Sequence, residues 1–135
     1  MASNTATTAP RLRRGRPLIA AVAVEIVLIA ITIALFASMP DPNPVLDMVI
    51  PPLALLLFIP AGYWTANGTT APVLNGFVAG LWGIVLYVAL TLIANGAVAD
   101  FDLESSVRPA YLLAHGLKVV GGVIGGWLVA RKLAD

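Results

Sequence analysis

The chain has 135 residues, of which 59% are hydrophobic and 11% charged, with a net charge of +1 and a mean hydropathy of +0.92. Soluble domains carry about 25% charged residues, and a chain this short leaves much of its surface exposed, so an ordinary soluble globular protein is excluded. Disorder over most of the chain is excluded as well, because it requires low hydrophobicity. There is no cysteine, which removes disulfides, thiolate metal sites and thiol catalysis.

Residues 1–16 read as a disordered, basic, cytoplasmic N-terminus. Residues 1–10 are rich in Ala and Thr, and Arg11, Arg13, Arg14 and Arg16 follow. This stretch resembles the basic region of a signal peptide. The apolar run after it exceeds the about 7–15 residues of a signal core, and no clean cleavage site follows. An uncleaved first helix is therefore expected. Residues 17–135 read as one transmembrane domain.

A spanning helix needs about 20 mostly apolar residues. Four stretches qualify, at 18–39, 45–66, 72–94 and 107–130. They are continuously apolar and lack the alternation of barrel strands. Pro40-Asp41-Pro42-Asn43-Pro44 closes span one. Pro51-Pro52 implies either a helix starting at Pro51 or a kink in span two, and Pro60 implies a second bend. Asn67-Gly68-Thr69-Thr70 makes a turn before Pro72, which suits a first helical position. Asn95-Gly96 ends span three, and Ser105 and Ser106 are candidate caps for span four. Asn75 and Asn95, near helix ends, fit capping or headgroup contact, and Thr91 adds a further polar atom on span three.

Basic residues lie before span one and after span four, at Arg131 and Lys132, whereas the two alternate loops carry Asp41, Asp47, Asp100, Asp102 and Glu104. Basic flanks stay cytoplasmic. The expected protein is a multi-pass component of a bacterial or archaeal cell membrane with both termini inside. Tyr63, Trp64 and Trp127 then fall near the inner interface.

The glycines are patterned. Span three has Gly76, Gly80 and Gly83, and span four has Gly121, Gly122, Gly125 and Gly126. Small residues four apart let helices approach closely in lipid. The contact they serve lies within one subunit, or with a second copy or another membrane protein. A weak echo relates Ile26-Val27-Leu28 to Ile84-Val85-Leu86, and Ala61-Gly62-Tyr63 to Gly125-Gly126-Trp127. It fits a duplicated two-helix hairpin or merely shared apolar composition.

Ionisable residues within a membrane are costly and mark function by default. Glu25, Lys118 and His115 are the candidates. Counting from the span ends places Glu25 roughly 10 Å deep and Lys118 roughly 20 Å deep, so a pair between them must close a gap of roughly 10 Å. Glu25 should be protonated, paired or facing water. His115, Lys118, Gly122 and Gly125 share one stripe of span four, and Thr32 extends the face of Glu25. No phosphate loop, paired catalytic carboxylates or nucleophile–base arrangement is present. No enzyme activity, cofactor, metal or nucleic-acid partner is expected.

Ala21-Val22-Ala23-Val24-Glu25 resembles the first helix of the small multidrug-resistance transporters. Those are four-helix proteins of similar length with one essential membrane glutamate, and the resemblance covers span one. Ala61-Gly62-Tyr63 and Gly121-Gly122-Val123-Ile124-Gly125-Gly126, within four short spans, resemble small four-helix bacterial membrane proteins without assigned function. That second resemblance implies architecture only.

The expected fold is all-α, a four-helix transmembrane bundle. Two functions are in competition. One is a non-enzymatic accessory or structural subunit that associates through its glycine-rich helix faces. The other is a small proton-coupled transporter acting as a dimer, with Glu25 as the exchanging carboxylate. The one-sided charge distribution favours the first, and the membrane-embedded Glu25 and Lys118 favour the second.

Overall fold

The structure, a computed structural model, describes residues 10–97 and 107–135. It contains four helices: α1 (Gly15–Ser38), α2 (Asn43–Ala66), α3 (Pro72–Ala97) and α4 (Pro109–Ala134). Each is long and apolar enough to cross a membrane. The protein is a four-helix integral membrane protein of the all-α class. Large apolar side chains such as Ile26, Ile33, Leu56, Leu92 and Leu112 are exposed, as expected where lipid replaces water as the solvent.

Boundaries differ from the expected spans in instructive ways. α1 starts at Gly15, α3 runs past Asn95-Gly96 to Ala97, and α4 starts at Pro109 with Arg108 as its N-cap. The caps expected at Ser105 and Ser106 lie outside the described residues, as do the acidic residues at 100, 102 and 104. α2 is one continuous helix through Pro51, Pro52 and Pro60, so no separate surface segment precedes Pro51. Proline removes a backbone donor, and membrane helices tolerate this where neighbours satisfy the freed carbonyls.

The N-terminal segment corrects the expectation of disorder up to residue 16. Residues 10–14 lead into α1 while bonded to the α2–α3 turn. Thr70 N donates to Pro10 O at 3.2 Å. Asn75 Oδ1 accepts from Arg13 N at 3.0 Å, and Asn75 Nδ2 lies 2.8 Å from Arg11 O, 2.9 Å from Ala71 O and 3.2 Å from Thr69 Oγ1. Asn75 is fully buried. One amide side chain thus satisfies backbone groups of two segments at once, which composition alone does not reveal. Gly68 closes the turn with φ +73°, a left-handed value that glycine adopts without steric cost.

α4 packs most extensively against α2 and α3, while α1 packs against α2 and α3 and lies diagonally across from α4. Glycine makes the α4 contacts possible. A Cβ on Gly122 would strike the backbone of Gly76 in α3, and one on Gly125 would strike the backbone of Ile59 and Tyr63 in α2. A Cβ on Gly80 would meet Val119 Cα at 2.5 Å, and one on Gly126 would meet Pro72 O at 2.5 Å. All seven glycines singled out from the sequence are buried inside the chain. The glycine faces are therefore occupied within the subunit, the first of the two uses that the sequence allowed.

Two predictions follow from this packing. Gly122→Ala separates α3 from α4 and lowers stability by about 2–3 kcal/mol. Gly116 has nothing within 4 Å of an added Cβ, so Gly116→Ala raises stability by about 0.5–1 kcal/mol through helix propensity. Thermal unfolding midpoints in a mild detergent check both signs. Separately, Asn75→Ala frees the N-terminal segment, and trypsin then cuts after Arg11, Arg13 or Arg14 faster than in the parent protein.

Candidate functional site

The centre of the bundle holds two opposite charges. Glu25 on α1 and Lys118 on α4 are 4% and 2% exposed, respectively. Lys118 Nζ lies 2.6 Å from Glu25 Oε1. It also donates to Gly83 O on α3 at 3.4 Å, and it sits 5.3 Å from the ring centroid of Tyr87. The pair therefore crosses the diagonal of the bundle, between helices that scarcely touch through their backbones.

Local sequence explains how the two groups reach each other. Glu25 shares its buried stripe with Ala21, Val24 and Leu28, and the alanine leaves room near the axis. Lys118 shares its stripe with Ala114, Gly121 and Gly122. On α3, a Cβ at Gly83 would come within 2.5 Å of Phe58 Cζ and 3.2 Å of Glu25 Oε1. Any larger residue there would occupy the space of the pair.

The gap of roughly 10 Å anticipated from the span ends does not arise. Gly126 packs against Pro72, the first residue of α3. α4 then continues to Ala134, which is about two turns beyond that level. Counting depth from Arg131 thus placed Lys118 too far from the basic end of the bundle.

A file of polar and aromatic groups leads from the pair to the opposite end, where α2 and α4 begin. The His115 ring lies 4.4 Å from the Tyr87 ring, and Tyr87 stacks with Tyr111 at 6.0 Å. The Arg108 guanidinium lies 5.1 Å from the centroid of Tyr111, and its Nη2 lies 2.9 Å from Asp47 Oδ1. His115 Nδ1 is buried without a hydrogen-bond partner among the described residues. A cavity of about 50 Å³ lies along this file, bordered by Glu25, Thr32, Tyr87, Tyr111, His115 and Lys118. A single water needs about 10–15 Å³, so the cavity has room for small polar guests. Thr32 contributes a hydroxyl to the wall while donating to Leu28 O at 2.9 Å.

Toward the basic end the pair meets a closed apolar layer. Ala21, one turn from Glu25 toward that end, and Phe58 are fully buried, and Gly121 lies against Leu55 and Phe58. Among the described residues, the pair has polar and aromatic neighbours on one side and apolar ones on the other.

The structure thus brings Glu25, Lys118 and His115 together, with Thr32 in the same wall. The seven glycines form the surrounding helix contacts and not a separate site. Sequence reasoning missed Tyr87, Phe58 and the Asp47–Arg108 pair. Arg108, as the only basic residue between spans three and four, was the available signal for that last pair. Asn75 was expected to serve capping or headgroup contact, yet it holds the N-terminal segment. Among the described residues no group of His, Asp and Glu is arranged to hold a metal ion. The chain matches no protein-family model, no curated protein and no solved structure.

The chemistry available here is proton exchange on a carboxylate beside an ammonium. Removing one partner of a buried pair leaves an uncompensated charge and costs about 3–5 kcal/mol. Lys118→Met should show that loss in denaturant titration, and adding Glu25→Gln to it should restore most of the stability.

Proposed function

We propose that this integral membrane protein is a small proton-coupled transport protein in which Glu25 is the exchanging carboxylate. One observation carries this reading: the cavity and its polar file reach Glu25 from one side, while the described residues on the other side of the pair are packed and apolar. A group that takes up a proton from one side and releases it to the other needs such asymmetric access at its centre.

The residues divide the work as follows. Lys118 stabilises the charged form of Glu25 by direct contact. A proton delivered along the cavity neutralises Glu25 and removes the attraction that holds α1 to α4. Among the described residues Lys118 then keeps Gly83 O and the face of Tyr87. His115, whose Nδ1 has no hydrogen-bond partner among the described residues, stands beside the cavity as a proton acceptor or donor for water there. A single chain supplies both members of the pair, so the reading needs no second copy. The cavity fits water-sized guests, and a larger substrate requires the helices to part. The competing accessory-subunit reading keeps the one-sided charge distribution, but the glycine faces it would use are packed inside the chain.

The test is proton flux into liposomes that carry the purified protein and a trapped pH-sensitive dye. The parent protein should collapse an imposed pH gradient. The Glu25→Gln/Lys118→Met variant, which avoids an unpaired buried charge, should fold with unchanged helicity and lose the flux. Flux equal to the parent in the folded double variant would refute the assignment.

A further inference from the structure

The second large hollow lies outside the polar file, on the lipid-facing side between α1 and α2. It measures about 400 Å³. Ile19, Ala23 and Val27 form one wall, and Leu57, Pro60 and Trp64 form the other. Buried Ala20, Val24 and Ala61 lie at its base. Small residues on both helices keep the walls apart. From Ile19 to Val27 the groove runs for about 12 Å along the helix axis. An apolar hollow left empty forfeits dispersion contacts along its whole lining.

One end of the groove is electrically distinct. The Arg16 guanidinium lies 5.2 Å from the centroid of Trp64, which is itself part of the wall. Arg16 Nη1 donates to Trp64 O and Asn67 O at 3.5 and 3.3 Å. These bonds hold the guanidinium at the groove mouth. Its Nε and Nη2 have no hydrogen-bond partner among the described residues. Exposed Arg11 and Arg14 lie on the segment just before it. Arg13 is used differently, since its Nη2 donates to Gly68 O and its backbone to Asn75. Among the described carboxylates, Asp41 and Asp47 belong to the opposite end, Glu25 is paired in the core, and Asp135, which follows α4 at the basic end, makes no ion pair with Arg16. An apolar channel that ends at a positioned guanidinium, with further arginines beside it, matches an acyl chain joined to an anionic headgroup.

We infer that the α1–α2 groove binds one anionic phospholipid, with an acyl chain against Ala23, Pro60 and Trp64 and the phosphate region at Arg16. The site shares no lining residue with the Glu25 cavity, and it stands whether or not the protein moves protons. The orientation expected from the basic flanks puts the groove mouth in the cytoplasmic leaflet, where anionic lipids give a negative surface potential.

The experiment is native mass spectrometry of the full-length protein released from nanodiscs that contain equal amounts of phosphatidylglycerol and phosphatidylcholine with identical chains. The inference predicts one retained phosphatidylglycerol in preference to phosphatidylcholine. Arg16→Gln should reduce that preference about fivefold, the worth of one basic residue at a membrane surface. Ala23→Leu adds bulk on an exposed face, so the bundle should keep its helicity while retention of both lipids falls. Equal retention of the two lipids by the parent protein would overturn the inference. Retention unchanged in Ala23→Leu would overturn it too. So would an Arg131→Gln control that loses as much preference as Arg16→Gln, since that marks a diffuse basic surface and not a site.

Discussion

A carboxylate and an ammonium in contact at the middle of an apolar bundle set the terms for everything around them. Removed from water, neither charge is tolerable without the other. Because Glu25 and Lys118 stand on diagonally opposed helices, their contact fixes the relative depth of α1 and α4 without backbone packing between them. The remaining helices make room for it. Gly83 lacks the side chain that would fill the space, and Phe58 closes the floor. The glycines of α3 and α4 bring Lys118 within reach by letting backbone meet backbone.

The two ends of the bundle are built with different strengths. At the basic end, buried Asn75 ties residues 11 and 13 to the α2–α3 turn, and Thr65 Oγ1 donates to Gly62 O nearby at 2.9 Å. At the other end the tie between α2 and α4 is Asp47–Arg108, whose side chains are 42% and 23% exposed. Partly solvated pairs contribute little. Among the described residues, the α2–α4 tie at the end that gives access to Glu25 is therefore a weak one.

Much of this was legible in the sequence, for identifiable reasons. Four apolar runs with proline and glycine punctuation specify four helices, and Pro72 and Gly68 mark the turn where it occurs. Glu25 and Lys118 stand out because charge is so rare in those runs. What sequence could not supply was relative position. The glycine spacing announces close approach but not which helix approaches, and here it is α2 and α3 of the same chain. Depth counted from span ends failed because α4 extends past the first residue of α3. Asn75 looked like an ordinary helix-end residue, and only the fold shows that the segment at residues 10–14 returns to it. The continuity of α2 through three prolines depends on neighbours that a linear reading does not see.

The central claim, that Glu25 and Lys118 form an ion pair within one chain, is most directly tested by solid-state NMR in lipid bilayers. The dipolar coupling between the Glu25 carboxyl carbon and Lys118 Nζ would be measured in protein diluted with unlabelled chains, so that contacts between copies are silent. A strong coupling, consistent with the 2.6 Å nitrogen–oxygen contact, is the expected result. Absence of coupling in the diluted sample would contradict the account, because the pair would then be unformed or shared between two copies.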